Sequence, residues 1–199
     1  MKRRLWVLPL CLAASLSIAR EGSDDLFPRI EMQTSAGRIV VELDRTRAPL
    51  TVANFLQYVD DGFYDGTIFH RVVADFVAQG GGYTPDFEEK AAREPVVNES
   101  GNGLSNMHGT LAMARTNDPH SATAQFFFNL ADNARLDPSP ARWGYAVFGR
   151  VVEGLGVVDD IGRKPTGPGG TFDSEVPQAT VLIEKVRVLP PAATADSGL

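Results

Sequence analysis

Arg71, Phe76 and Gln79 lie inside a mostly apolar run that three glycines close at 80–82. Apolar runs of this kind usually enter a β-sheet, where a guanidinium and a carboxamide are costly to bury without partners. We therefore expect these polar groups to belong to a site. No cysteine, paired carboxylate or metal-ligand cluster accompanies the run, so the site would offer a cation, an amide and an aromatic wall but no nucleophile.

Two other features of the sequence could suggest a ligand site, but each has only part of a known binding motif. The glycines at 80–82 are not followed by the Lys and Ser/Thr of a phosphate-binding loop, so they predict a turn. His70, His108 and His120 are far apart in the sequence, whereas a zinc site needs clustered ligands. The sequence therefore predicts no metal and no cofactor.

The elements that would position the run are mostly short strands. Apolar residues alternate over 30–43 around a turn, which is typical of a β-hairpin. Apolar residues at helical spacing predict one helix over 48–59 and a second over 155–162. Residues 63–82 predict short strands on either side of a turn at 65–66.

The remaining chain predicts a long surface connection over 83–109 and another strand over 144–152. In the last strand, 179–189, the apolar residues change parity part of the way along. This change predicts a β-bulge near Glu184 and Lys185 that exchanges the faces of the strand.

The length of 199 residues and the hydrophobic content of 43% allow one sizeable core, so one domain is expected. Seven or eight strands and two helices without a βαβ rhythm favour a mainly β fold, either a closed antiparallel barrel or a sandwich, capped by helices. The predicted domain covers 29–189. A flexible spacer over 20–28 precedes it, and a disordered tail over 190–199 follows it.

The first 19 residues are typical of a signal peptide. Lys2, Arg3 and Arg4 precede a short apolar stretch over 5–16, and small residues at 17 and 19 suit cleavage after Ala19. The pattern predicts export, most simply to the periplasm, and a retained membrane anchor is the alternative.

Cleavage after Ala19 would make the mature chain more acidic. It would remove three positive charges, leaving 16 Lys and Arg against 25 Asp and Glu, so that the formal charge changes from −6 to −9. Such a chain is a poor partner for nucleic acid or anionic lipid, which need a basic face. We expect no nucleic-acid partner, no membrane contact in the mature form, and a monomer.

Short motifs distributed over 29–189 carry a family resemblance. They are Ala48-Pro49 with Asn54-Phe55, Gly62-Phe63-Tyr64-Asp65-Gly66-Thr67-Ile68-Phe69-His70-Arg71-Val72, Phe76 with Gln79-Gly80-Gly81, Gly109-Thr110-Leu111-Ala112-Met113-Ala114-Arg115-Thr116, Gln125-Phe126-Phe127-Phe128-Asn129, and Val147-Phe148-Gly149-Arg150-Val151. In this order they resemble the cyclophilin family of peptidyl-prolyl cis/trans isomerases. The sequence over 114–127 is similar to that of the bacterial branch of the family.

The resemblance implies a closed eight-stranded antiparallel barrel with two α-helices and an active site on its outer face. Arg71 would be the catalytic residue, donating to the nitrogen of a twisted X-Pro amide, and Gln79 would hold a substrate carbonyl. The other substrate-binding residues implied are Phe76, Val77, Ala114, Arg115, Gln125, Phe127, Leu136 and Tyr145. Rotation about an amide breaks no bond, which agrees with the absence of a nucleophile from the run.

Two positions depart from the pattern of many eukaryotic members. Arg135 replaces a tryptophan before Leu136, and Tyr145 replaces a histidine. The tryptophan is what the family uses to bind cyclosporin, so weak cyclosporin binding is expected. We also consider the hypothesis that Trp143 refills part of the space left by that tryptophan.

The leading interpretation is a cofactor-free peptidyl-prolyl isomerase that acts on proline-containing peptides and unfolded chains during the folding of exported proteins. One alternative is a binding module or chaperone that uses the same pocket, with incidental turnover. A second alternative is a small-ligand carrier with its site in the lumen, which large apolar residues at inward positions disfavour.

Overall fold

Eight strands close into an antiparallel barrel in the computed structural model, which describes residues 25–191. The elements in chain order are β1 (Arg29–Thr34), β2 (Gly37–Leu43), α1 (Pro49–Asp60), β3 (Thr67–Val73), β4 (Val77–Gly80), β5 (Thr110–Met113), β6 (Phe126–Asn129), a 3-10 turn (Ala134–Leu136), β7 (Val147–Glu153), α2 (Leu155–Gly162), β8 (Thr166–Gly169), β9 (Phe172–Pro177) and β10 (Leu182–Val188). Around the barrel the order is β1, β10, β3, β4, β6, β5, β7, β2, and β2 pairs with β1. The predicted mainly β fold, a closed eight-stranded barrel with two helices, is confirmed.

The alternating apolar residues at the start of the domain form the predicted hairpin. Ile30 pairs with Val41 and Met32 with Ile39 across β1 and β2, and all four side chains are fully buried. Because side chains alternate between the faces of a strand, this register sends one apolar row into the barrel.

Aromatic side chains fill the interior of the barrel. The ring of Phe55, on α1, lies 5.0 Å from that of Tyr64, 5.8 Å from that of Phe126 and 5.1 Å from that of Phe148. All four rings are fully buried, and such close contacts stabilise a core beyond the area that they bury. This packing opposes the alternative of a carrier with a ligand in the lumen.

Helix α1 receives its N-terminal cap from the long connection over 83–109. Glu99 accepts hydrogen bonds from the backbone N–H of Leu50 at 3.1 Å and of Thr51 at 2.8 Å, and from the Thr51 hydroxyl at 2.7 Å. Ala48 has no side chain that can cap the helix. A distant carboxylate therefore satisfies the first N–H groups and complements the helix dipole.

The predicted bulge in the last strand is confirmed. Lys185 lies opposite Gln33, but Ile183 lies opposite the next residue of β1, Thr34, so Glu184 is left without a partner across the pair. Ile183 and Val186 are consequently both buried although they have opposite parity.

The predicted strands around 63–82 were partly wrong. Residues 61–66 form turns, β3 begins at Thr67, and the chain reverses after β3 at 74–76 rather than at 65–66. The reason is Tyr64, whose fully buried ring enters the core while its hydroxyl donates to the Ala124 carbonyl at 2.9 Å. That anchor keeps the segment out of the sheet.

The hairpin of β8 and β9, which lies outside the barrel, was not predicted. Glycine and proline interrupt the alternation of β8, whose sequence is TGPG, so the usual strand signal is missing. The strand predicted over 144–152 begins later, at Val147.

The chain ends are only partly described. The signal peptide predicted over 1–19, and 192–199 of the predicted tail, lie outside the described residues. At the end of the predicted spacer, the carbonyls of Leu26 and Pro28 accept hydrogen bonds from Arg45 and Leu43. Among residues 25–191, no helix has the length and apolar character needed to cross a membrane.

Candidate active site

A groove of about 280 Å³ on the outer face of the barrel gathers most of the predicted site residues. Its lining consists of Arg71, Phe76, Val77, Gln79, Ala114, Arg115, Phe127, Leu136 and Tyr145. Gln125 lines an adjoining hollow of about 330 Å³, which shares Gln79, Ala114 and Arg115 with the groove. The structure therefore brings together residues that are far apart in the sequence.

The strand register explains how the groove is built. Arg71 lies opposite Gln79, Gln79 opposite Phe127, and Phe127 opposite Ala112, across β3, β4, β6 and β5. Residues directly opposite each other project from the same face of a sheet. Because Phe126 and Phe128 enter the core, this row lies on the outside of the barrel.

The floor of the groove is an apolar cluster separate from the core. Its buried members are Val77, Ala112, Phe127 and Val147, and Phe76, Leu104, Ala114, Leu136 and Tyr145 pack against them. The rings of Phe127 and Tyr145 meet edge to face at 5.6 Å. This concave apolar surface suits a small ring such as that of proline. Ala112, Val147 and Leu104 were missed because apolar residues in strands give no signal of which cluster they join.

A chain of side-chain amides leads from the groove to the adjoining hollow. The Gln79 Nε2 donates to Gln125 Oε1 at 3.0 Å, and Gln125 Nε2 donates to Glu89 Oε1 at 3.3 Å. Gln125 therefore fixes the orientation of the Gln79 carboxamide at the rim of the groove.

Arg71 has a carboxylate partner that sequence reasoning missed. Its Nε donates to Glu175 Oε2, 2.7 Å away, and the side chains are 35% and 40% exposed, respectively. Glu175 belongs to the outer hairpin, 104 residues along the chain from Arg71. The sequence offered only a general indication of this partner, since a guanidinium in an apolar run needs a polar or charged group to bond to.

Arg115 is turned toward backbone carbonyls at the other end of the groove. Its Nε donates to the Gly144 carbonyl at 3.2 Å and its Nη2 to the Trp143 carbonyl at 3.1 Å. Its guanidinium lies 4.4 Å from the centre of the Tyr145 ring. This stacking holds the aromatic wall that Tyr145 provides.

Arg135, which stands where the family has a tryptophan, packs against the groove, whereas Trp143 lies in a separate hollow. The Arg135 guanidinium stacks on the Phe76 ring at 4.1 Å. Trp143 packs edge-on against His120, with ring centres 5.0 Å apart, and lines a separate hollow. The hypothesis that Trp143 refills the groove is therefore wrong, because Trp143 is not among the residues that line the groove and it bonds to Arg115 through its backbone carbonyl, not its ring.

The three histidines have separate surroundings. His108 pairs with Asp159 at 2.7 Å, and His120 Nδ1 accepts the Asn98 N–H at 3.1 Å. His70, the residue before Arg71, is buried, and its ring packs against those of Tyr83 and Phe172. No group of three or more potential metal ligands occurs in the part of the chain that the structure describes.

Burial sets the protonation of His70. It lowers the pKa of the imidazole from 6.5 to about 4, and the neighbouring positive charge of Arg71 acts in the same direction. The ring is therefore neutral at physiological pH and does not compete with Arg71 as a cation.

Comparisons with known proteins agree with the fold and the groove. The family model described as cyclophilin type peptidyl-prolyl cis-trans isomerase/CLD matches residues 29–188. The chain is 56% identical over 163 residues to peptidyl-prolyl cis-trans isomerase cyp18 of Streptomyces antibioticus, covering 80% of this chain and 98% of the relative. It is 50% identical over 162 residues to peptidyl-prolyl cis-trans isomerase B of Escherichia coli, with the same coverage of 80% and 98%.

Solved structures show the same fold. A Cryptosporidium parvum cyclophilin type peptidyl-prolyl cis-trans isomerase, crystallised in the presence of the dipeptide Ala-Pro, superposes with a TM-score of 0.69 at 23% sequence identity. The match covers 81% of this chain and 99% of that one. The family match and the identity to bacterial relatives lead to one conclusion: this chain belongs to the cyclophilin-type family and is a peptidyl-prolyl cis-trans isomerase.

Proposed function

We propose that the outer groove accelerates X-Pro rotation in exported proteins during folding, with Arg71 as the catalytic residue and no covalent intermediate. The observation that carries this proposal is the row of Arg71, Gln79 and Phe127 across three strands. That row sets a guanidinium and a carboxamide at the edge of an apolar pocket.

The chemistry needs little more than these groups. Rotation about an X-Pro bond crosses a barrier of roughly 18–20 kcal/mol, because the nitrogen lone pair is shared with the carbonyl. In the twisted transition state the lone pair is localised and the nitrogen becomes basic. A guanidinium N–H from Arg71 that donates to this nitrogen stabilises the transition state and not the planar ground states.

The remaining groups hold the substrate. Phe76, Val77, Phe127, Leu136 and Tyr145 enclose the proline ring, while Gln79 binds a substrate carbonyl. The N–H of Ala114 already donates to the Gln125 carbonyl at 2.9 Å, so the peptide pairs with the Ala114 carbonyl and with the backbone of Arg115. All of these groups come from one chain, so a monomer suffices.

The similar Cryptosporidium structure was determined in the presence of Ala-Pro, which supports a short X-Pro peptide as the substrate for a first assay. Mature protein and its Arg71→Ala variant are compared in a protease-coupled assay on an Ala-Pro peptide. We expect loss of most of the kcat/KM with an unchanged circular dichroism spectrum. Full activity in the folded variant would refute the role of Arg71.

The same variant separates the enzyme from a binding module. A chaperone that only holds proline segments would suppress aggregation of an unfolded client equally well with and without Arg71. For an isomerase, refolding of a client limited by proline isomerisation should be accelerated by the wild type only.

Export is proposed from the pattern over 1–19. Expression of the full chain in a Gram-negative host, followed by cell fractionation and N-terminal sequencing, tests it. A periplasmic product that begins at Arg20 is expected. A product that retains residues 1–19 and sediments with membranes would support the anchor instead.

A further inference from the structure

The hairpin outside the barrel reaches the catalytic face through one side chain, that of Glu175. β9 lies against β3, the strand that carries Arg71. Glu175 Oε2 accepts the Arg71 Nε–H at 2.7 Å. Within residues 25–191, this is the only bond that the Arg71 guanidinium makes to the protein. The Nη groups are therefore left for the groove.

Packing on the barrel holds the hairpin in place. The ring of Phe172 lies 5.2 Å from that of Tyr83 and 5.5 Å from that of His70. Val176, the residue after Glu175, is buried. Glu175 therefore extends from a hairpin that is packed against the barrel, and its carboxylate has a defined position relative to β3.

The backbone at Glu175 adopts a conformation that side chains disfavour. Its φ of 68° lies in the left-handed region, where a β-carbon crowds the following carbonyl. Such strain persists where the surroundings impose it, and it is frequent at functional sites. Here the strained residue is the one whose carboxylate meets the catalytic guanidinium.

The ion pair between Arg71 and Glu175 contributes little to the stability of the fold. Both side chains are more than one third exposed, and ion pairs of that kind contribute little because water and salt screen them. The pair does restrict the orientation of the Arg71 side chain, because the guanidinium is planar and a hydrogen bond at Nε limits rotation of that plane. A side chain held in this way loses less freedom on reaching the transition state.

We infer that Glu175 is a positioning residue, which fixes the guanidinium plane of Arg71 through Nε so that an Nη–H meets the twisted proline nitrogen. The inference rests on the proposed role of Arg71. It assigns a function to the outer hairpin, which supplies the carboxylate without touching the substrate.

Glu175 could also lower activity, because a carboxylate beside Arg71 partly neutralises the positive charge that stabilises the nitrogen lone pair in the transition state. We call this effect charge damping. The two effects separate with Glu175→Gln, which keeps an acceptor oxygen but removes the charge. If orientation dominates, this variant retains activity and Glu175→Ala loses it. If charge damping dominates, both variants become more active.

The test compares Glu175→Ala, Glu175→Gln and the control Asp173→Ala in the mature protein. Asp173 is exposed on the same hairpin, so the control removes the same charge without removing the bond. We expect kcat/KM on an Ala-Pro peptide to fall about tenfold in Glu175→Ala. It should stay within about twofold in the other two variants, with peptide affinity by NMR titration unchanged in all three.

An NMR signature distinguishes positioning from a general structural role. The Nε–H signal of Arg71 should be slow to exchange with water in the wild type and fast in Glu175→Ala, while the backbone amide spectrum of the barrel stays the same. If Glu175→Ala does not fold, Glu175→Asn replaces it, because Asn tolerates positive φ and its side chain is one methylene shorter.

Combining the variants separates this inference from the proposed function. In an Arg71→Ala background, Glu175→Ala should cause no further loss. A folded Glu175→Ala protein with unchanged or raised activity overturns the positioning role, even if Arg71→Ala is inactive. An active Arg71→Ala protein overturns the proposed mechanism itself.

Discussion

The buried imidazole of His70 predicts a stability that falls in mild acid. His70 is 2% exposed and lies against Tyr83 and Phe172. Its Nδ1 has no hydrogen-bond partner in the described part of the chain. Burial, with a contribution from the charge of Arg71, lowers its pKa to about 4, so the folded protein resists protonation where the unfolded chain accepts it.

The sign and size follow from proton linkage. Between pH 6.5 and 4 the unfolded chain binds a proton at position 70 and the folded protein does not, so the free energy of unfolding falls as the pH falls. With a pKa of about 4 folded and about 6.5 unfolded, lowering the pH from 7 to 5 costs about 2 kcal/mol.

A His70→Phe variant isolates this contribution, since a phenyl ring suits the aromatic neighbours and does not titrate. Urea unfolding of wild type and variant at pH 7 and pH 5 gives the free energies. Every other titrating group is common to both proteins, so the wild type should lose about 2 kcal/mol more than the variant. Equal losses would refute the reasoning that burial keeps this imidazole neutral.

Three further substitutions have expected outcomes. Arg135→Trp should strengthen cyclosporin binding at least about tenfold over a weak wild type, measured by inhibition, because it restores an indole beside Phe76; low-nanomolar inhibition of the wild type would contradict this. Glu99→Ala should lower the free energy of unfolding by about 1–2 kcal/mol in urea, since α1 loses its cap; no change would contradict the capping role. Gly81→Ala should cost about 3 kcal/mol, because φ is 82° and a Cβ would lie 2.6 Å from the Phe126 ring; a stable variant would show that this turn yields easily.

The sequence predicted the fold correctly where a local periodicity of apolar residues corresponds to a regular strand or helix. Alternation over 30–43 predicted the first hairpin, and the parity change predicted the bulge at Glu184. Both are properties of one strand and its neighbour. Tyr64 shows the limit, because a tertiary anchor in the core turned a predicted strand into a turn.

The candidate site likewise contains residues that the sequence predicted and residues that it did not. Arg71, Gln79 and Phe127 were predicted through family motifs, and the strand register places them in one row. Glu175 was not predicted, because it reaches Arg71 from a glycine-rich hairpin with no alternation. Nor does residue type alone indicate that Arg135, rather than a nearby tryptophan, stacks on Phe76.

The most direct test of the central claim is the rate at which a bound X-Pro peptide interconverts between cis and trans on the protein. NMR exchange spectroscopy measures this rate and the peptide affinity in one titration, for the mature wild type and for Arg71→Ala. If the Arg71 guanidinium stabilises only the twisted amide, the variant should bind the peptide with similar affinity and interconvert it at least about a hundredfold more slowly. An unchanged interconversion rate, or a loss confined to binding, would contradict the account.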